Sequence, residues 1–275
     1  ILDLYMGQDK DSRCAIEVCG GHSKVFITGE VTSKGEVTPH EIKKLVKELT
    51  TIEDVTIHLF QQSPNIAQGV DIGGAGDQGI MIGYACWENE EKVPQEYYLA
   101  RKLNKFIFEE YPFDGKTQVT MMGEKLRIVA SFQNTPAQKL KKMVETFFTD
   151  YPQYIIEELH CNPAGDWEIG SFEADAGVTG RKLAVDNYGP RVPLGGGAFS
   201  GKDVTKVDRS AAYMARRIAV DYLQKYDAKE VKVELSYAIG YDQPIQATAI
   251  LNQGKGWNKN IKEITDYDLS PQGII

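Results

Sequence analysis

The feature that most constrains how this chain can fold is a pattern it repeats: two strand-like runs, an amphipathic helix, then another strand. In the first copy, residues 13–19 and 24–32 form the strand pair, with Gly20-Gly21 as the expected turn. Thr38 caps the helix that follows, Pro39 suits its first position, and Glu41 completes a capping box. Ile42, Leu45, Val46 and Leu49 then recur at helical spacing, so one helix face is buried. Residues 55–60 close the copy. His58 within them reads as a sheet residue, because no second ligand stands at metal-binding spacing. In the second copy, residues 117–122 and 125–133 turn around Gly123-Glu124. Thr135-Pro136 opens a helix with Leu140, Met143, Val144 and Phe147 on one face, and residues 157–161 close it. A third hairpin spans 231–239 and 244–251, followed by a short helical pattern at 261–267. The repeat predicts an α+β architecture of three similar layers, sheets on one side and helices on the other. A sheet face left apolar in such a unit would favour a dimer.

At 275 residues the chain can bury a large core divided among two or three domains. Its net charge of −8 argues against general nucleic-acid binding, which requires a basic face. Between Arg181 and Arg209, however, six Lys/Arg face three Asp, a local reversal suited to a small and highly anionic ligand. The four cysteines have no CxxC spacing and the four histidines form no HxxxH pair. That pattern predicts no structural zinc, and thiols kept reduced in the cytoplasm. No apolar run is long enough to span a bilayer, so no membrane partner is expected. Residues 1–6 read as the tail of a helix that starts further upstream.

Two glycine-rich connections interrupt the repeats, residues 61–83 and 163–201, and long ordered connections usually carry function. The second leads into GGGAFSGKDVTKVDRS, residues 195–210. Its glycines allow close backbone approach to a ligand, and the helix expected from Ala211 would favour anions near its start. Lys202, Lys206 and Arg209 alternate with Asp203 and Asp208, whose carboxylates could hold a hard cation such as Mg²⁺. This is equipment for a polyphosphate–metal ligand, although a solvated loop has the same composition. Gly196, Gly201 and Lys202 fit the spacing of a Walker A loop. The next residue is Asp203 rather than Ser or Thr, and Pro193 with a glycine run replaces the strand, so that reading fails. Asp203 has a second reading, as a cap on the Thr205–Lys206 amides.

GAGDQGIMIGYA (residues 74–85) and GGGAFSGKDVTKVDRSAAY (residues 195–213) resemble the two signature segments of the S-adenosylmethionine synthetase family. QQSPNIAQGVD before the first and TGRKLAVDNYG before the second fit the same family in the same order. The resemblance extends over essentially the whole chain. It implies three pseudo-symmetric α/β-sandwich domains interleaved in sequence. Residues 1–70 with 171–210 would form a central domain, 88–170 an N-terminal-type domain, and 71–87 with 211–275 a C-terminal-type domain. The implied reaction is methionine adenosyl transfer: the sulfur of L-methionine attacks C5′ of ATP, and the tripolyphosphate released is hydrolysed to pyrophosphate and phosphate.

Carried over position by position, the resemblance makes Lys116, Arg181, Lys182, Lys202 and Lys206 the triphosphate contacts and catalytic cations. It gives Asp208 to Mg²⁺, with two such ions expected per site, and Glu17 to K⁺. Glu30 and Gln62, with Asp77 and Lys206, would hold methionine. Asp77 and Asp175 would contact the nucleoside, and Trp167 would stack on adenine. Glu17 and Glu30 also read as solvated strand residues, Lys116 as an ordinary exposed lysine, and Trp167 as a core anchor. The family also implies a homodimer or a dimer of dimers with the site between subunits. The family's His-Pro-Asp-Lys segment and last helices have no counterpart here, and the connection from Val70 to Gly74 is short for a gating loop. Two readings therefore stand: a synthetase with residues beyond those given, or a truncated, catalytically impaired homologue that binds nucleotide as a regulatory subunit. A generic ATPase is a weaker third.

Overall fold

The computed structural model describes residues 1–64, 70, 73–254 and 260–275. The QQSPNIAQGVD segment and the short connection after Val70 lie partly outside the described residues. The described residues fold into three sheets, each covered on one side by helix.

In the first unit, β1 (Arg13–Gly21) and β2 (Lys24–Thr32) form an antiparallel hairpin. Helix α2 (Pro39–Thr50) crosses over to β3 (Asp54–Phe60), which pairs parallel to β2. The capping box is present: Thr38 Oγ1 accepts from the Glu41 amide while Glu41 accepts from the Thr38 amide at 2.7 Å. Ile16, Val25, Ile27 and Val55 pack beneath Ile42 and Val46, joined by Tyr5 from α1 (Leu2–Gln8). His58 stands between the rings of Phe26 and Phe60, as a sheet residue.

The expected Gly20-Gly21 turn is corrected. Strand β1 runs through Gly21, and the turn is made by His22 and Ser23, both at positive φ. The glycines serve close packing instead: a Cβ on Gly20 would lie 2.7 Å from the Phe172 ring, and one on Gly21 3.1 Å from Ala176.

The second unit repeats the first. β5 (Gly115–Met122) and β6 (Lys125–Phe132) form a hairpin, α4 (Ala137–Phe148) crosses over, and β7 (Ile155–Cys161) pairs parallel to β6. Thr135-Pro136 does open this helix. Its first free amide, on Ala137, is satisfied by the Asp166 carboxylate at 2.9 Å rather than by the threonine. A further helix, α3 (Gln95–Glu110), for which the repeat gives no counterpart, lays Leu99, Leu103 and Ile107 on the same core.

The third unit departs from the repeat. β9 (Glu230–Tyr237) and β10 (Gln246–Asn252) form the hairpin, but the helix expected at 261–267 is absent. Ile261–Glu263 is instead a strand, β11, on the open edge of β10, where Ile250 faces Ile261. The covering helix comes earlier, as α7 (Val207–Lys225), after the short helices α5 (Ser171–Ala174) and α6 (Leu183–Asp186), so no crossover helix is needed. β4 (Gly79–Cys86) completes the sheet beside β9.

Strand β4 is buried on both faces, as a continuous apolar run allows. Met81 and Ala85 enter the core under α7, while Ile82, Tyr84 and Cys86 enter the α3–α4 core. Gly83 lets α7 approach: a Cβ there would stand 2.1 Å from the backbone of Ala215. Gly83→Ala is therefore expected to cost about 3 kcal/mol, the upper range of overpacking. Urea unfolding measures it, and a loss below about 0.5 kcal/mol would contradict the close contact.

Candidate functional site

Both cation-bearing loops dock on one strand edge. Strand β8 (Gly177–Val178) pairs with Cys19 and Gly20 of β1. Thr179 continues it, its amide donating to the Val18 carbonyl at 2.9 Å while its hydroxyl accepts from the Val18 amide. Further along the same edge the Ile16 amide donates to the Gly201 carbonyl and the Asp203 amide to the Cys14 carbonyl, bridging Lys202 to Ala15. Arg181 and Lys182 thus leave the edge beside Val18, and Lys202 and Lys206 leave it beside Cys14. Arg181 and Lys182 are exposed, with Arg181 Nη1 donating to the Ala176 carbonyl at 3.1 Å.

Strand alternation then separates the two aspartates of the loop. Lys202 faces Ala15 across a narrow pair, so its side chain shares the sheet's outer face with Ala15. Asp203, one residue on, turns to the buried side and is 2% exposed. Its carboxylate accepts from the Cys14 amide at 2.6 Å, the Thr205 amide at 2.8 Å and Lys206 Nζ at 2.7 Å. Burial alone would raise its pKa, but the hydrogen bond and charge of Lys206 outweigh burial and hold it below the ordinary aspartate value. Burial, aided by the Asp203 charge, pushes the Cys14 thiol up to about 11. Of the two readings of Asp203 the structure takes the cap, but at the Thr205 amide alone, since the Lys206 amide donates to the Asp203 main-chain carbonyl instead. Its oxygens are occupied, which corrects its candidacy as a cation ligand.

Asp208 lies in the first turn of α7, and its Oδ2 accepts from Lys202 Nζ at 2.6 Å. The two side chains are 12% and 17% exposed. The glycine turn covers the pair, since a Cβ on Gly197 would lie 2.7 Å from Asp208 Oδ2 and 2.9 Å from Lys202 Nζ. The turn also seats on β4, where a Cβ on Gly195 would meet the Ile80 carbonyl at 2.3 Å. The two glycine-rich segments therefore meet. Arg209, for which sequence reading found charge but no task, fixes the Lys202 backbone: its Nη1 donates to the Lys202 carbonyl at 2.6 Å. Thr179 was missed altogether, since a threonine before a glycine carries no signal of edge docking.

The remaining candidates fall into groups. Glu30 faces Ala15 on the next strand, so Lys202, Ala15 and Glu30 form one row across the sheet. Lys202 and Glu30 are two strand spacings apart, about 10 Å. Glu17 is an exposed near neighbour of that row on β1, and Gln62, half-buried, follows β3. Lys116 and Trp167 share a separate cavity of about 290 Å³ on the outer face of the β5–β6 sheet, with Gln118 and Ser131. Asp77 and Asp175 are exposed, each accepting from the amide of the residue that follows it. The fold thus gathers Arg181, Lys182, Lys202, Lys206 and Asp208 at one edge. Lys116 with Trp167 stands apart.

For cations the donor set discriminates. Among the described residues no three His, Cys, Asp or Glu side chains cluster to hold a metal. Mg²⁺ commonly takes one or two carboxylates and completes its shell with water and phosphate oxygens, so Asp208 fits as a lone protein ligand to a phosphate-bound Mg²⁺. Glu17, a lone carboxylate on an exposed strand face, does not by itself make a K⁺ site. Among the described residues no helix is long and apolar enough to cross a membrane.

The site is thus a strand edge of an α+β fold that carries exposed Arg181 and Lys182 beside two lysine–carboxylate pairs, one of them under a glycine turn. The C-terminal domain of S-adenosylmethionine synthetase matches residues 169–275 and the central domain of the same enzyme matches residues 72–166. The chain is 38% identical to the S-adenosylmethionine synthase of Zymomonas mobilis, the alignment covering 100% of this chain and 82% of that one. It is 35% identical to that of Pelagibacter ubique, with the same coverage. An unusual S-adenosylmethionine synthetase from Campylobacter jejuni superposes with a TM-score of 0.86 at 30% identity, over 99% of this chain and 82% of that one. The chain belongs to the S-adenosylmethionine synthetase family.

Proposed function

We propose that the protein makes S-adenosylmethionine from ATP and L-methionine. The observation that carries this reading is the pair of loops docked on β1, which bring Arg181, Lys182, Lys202 and Lys206 to one strand edge in a chain of this family. In the proposed reaction the methionine sulfur attacks C5′ of ATP and tripolyphosphate leaves, to be hydrolysed to pyrophosphate and phosphate. The leaving group gains charge as the bond to C5′ breaks. Cations held in place beforehand stabilise that charge without reorganising. Lys206 is prearranged by Asp203, and Lys202 by its backbone bond to Arg209. Mg²⁺, when bound at Asp208, would neutralise phosphate oxygens. Glu30, in the row beyond Lys202, and Gln62, which follows β3, would accept the methionine ammonium and orient the sulfur. Trp167 and Lys116 would contribute adenine and phosphate contacts from their own cavity, and Asp77 and Asp175 nucleoside contacts. We further propose that the protein works as a homo-oligomer with the site between subunits, which would bring that cavity to a partner's loops.

The test is mass-spectrometric detection of S-adenosylmethionine from the purified protein given ATP, methionine, Mg²⁺ and K⁺. Methionine-dependent product is expected. ATP binding without product would instead place the protein among the catalytically impaired homologues.

A further inference from the structure

We infer that Thr179 is a positioning residue: its hydroxyl holds the turn from which Arg181 and Lys182 leave β1, and so sets their distance from the loop of Lys202. The inference rests on the reading of Arg181 and Lys182 as triphosphate contacts, and deepens it. Strand β8 has only two residues, Gly177 and Val178, which pair with Gly20 and Cys19. In the same register Thr179 stands opposite Val18, whose amide and carbonyl both face this edge. A third strand residue there would exchange two main-chain bonds with Val18. Thr179 gives its amide to the Val18 carbonyl at 2.9 Å, but it is Oγ1 that accepts from the Val18 amide, also at 2.9 Å. The same hydroxyl donates to the Val18 carbonyl at 3.4 Å. The side chain completes the ladder in place of the main-chain carbonyl, which leaves the backbone free to turn at once.

The turn is tight. The Arg181 amide donates to the Val178 carbonyl at 3.3 Å, and Gly180 between them has a φ of 85°. Positive φ at the third residue is what a type II turn requires. Arg181 is also tied back across the turn, its Nη1 reaching the Ala176 carbonyl at 3.1 Å. Gly180 meets the other loop as well: a Cβ on it would lie 3.2 Å from the Cβ of Ala198, in the glycine turn before Lys202. The two cation loops are therefore held in register at two places. One is β1, where their rungs at Val18 and Ala15 are three residues, about 10 Å, apart. The other is the contact of Gly180 with Ala198. A valine at 179 has the same shape but leaves the Val18 amide without an acceptor. The main-chain carbonyl at 179 must then rotate in to satisfy it. That turns over the peptide between residues 179 and 180, on which the turn is built, and shifts Arg181 and Lys182 relative to Lys202.

Steady-state kinetics of S-adenosylmethionine formation, run well below each variant's melting temperature, test this. Thr179→Val is expected to lower kcat by about tenfold or more with KM for methionine changed less than about twofold, since only triphosphate contacts are displaced. Thr179→Ser keeps the acceptor and should retain at least about half of the wild-type kcat. Gly180→Ala attacks the same turn through its positive φ and should reproduce the valine loss, so a failure of Thr179→Val to fold leaves the inference testable. In an Arg181→Ala background, Thr179→Val should cost no more than about threefold, because one of the cations that it positions is gone. A merely structural hydroxyl would lower the melting temperature, spare kcat, and act equally in both backgrounds. Wild-type kcat in Thr179→Val or Gly180→Ala, the same loss from serine as from valine, or equal losses in both backgrounds would each overturn the inference. If instead wild type forms no product, or if Arg181→Ala alone leaves kcat and KM for ATP unchanged, the triphosphate reading of this turn falls and the inference with it.

Discussion

Lys202→Ala is expected to lower kcat/KM for S-adenosylmethionine formation by about 10²–10³-fold, the loss typical of one prearranged group that stabilises developing charge. The residue sits where three constraints converge. Its backbone is bridged to Ala15, its carbonyl is held by Arg209, and its ammonium is buried under the Gly197 turn. A cation so placed is already oriented before the leaving group gains charge. The substitution also strips Asp208 of its partner, so the melting temperature should fall while the circular dichroism spectrum of the folded state is retained. Rates are therefore measured well below the variant's melting temperature and at saturating Mg²⁺. Near-normal turnover would sink the assignment of Lys202 to the phosphate site. Lys202→Arg is not expected to rescue it fully, since the planar fork cannot occupy the space of an ammonium beneath a glycine turn.

How far the sequence disclosed this arrangement depends on the range of the interaction concerned. Hairpin, helix and following strand were legible in the first two units because their signals are local: the capping box at Thr38, the glycine at Gly123, and apolar residues at helical spacing. The third unit misled because residues 261–263 have no strong local preference, and the unpaired edge of β10 decides their state. The Gly20-Gly21 turn misled for a related reason. Glycine marks either a turn or a close approach, and only the position of Phe172, far along the chain, selects the second. At the site, the resemblance picked out the cations but not their pairing. Asp203 and Asp208 look alike in sequence as acidic residues interleaved with lysines. What separates them is the alternation imposed when Lys202 bridges to β1, a contact spanning most of the chain. Periodicity cannot reveal which strand edge a loop will meet.

Asp203→Asn tests that long-range contact through stability, and the expected loss is about 3–5 kcal/mol at neutral pH, the usual cost of breaking a buried charge pair from one side. The amide retains a single acceptor oxygen, whereas the carboxylate serves the amides of Cys14 and Thr205 and the ammonium of Lys206. Lys206 is left half-buried without its counter-charge. The loss should depend on pH in a defined direction. Lys206 holds the Asp203 carboxylate ionised in the fold to a lower pH than in the unfolded chain, despite burial. The unfolded state therefore binds the extra proton first, and stability contributed by this group is complete above the unfolded aspartate value of about 4. It is lost as the pH falls through the lower folded-state value. The variant has no such group, so the gap between wild type and variant should be widest near pH 7 and should narrow below about pH 4. Urea unfolding of both proteins across pH 3–7 measures it. A gap that stays constant through that range would mean that the Asp203 carboxyl binds its proton equally in the fold and in the unfolded chain, and a gap that widens as the pH falls would mean that it is not ionised in the fold. The Lys206 pair, and with it the electrostatic anchoring of the cation loop to β1, would then have to be abandoned.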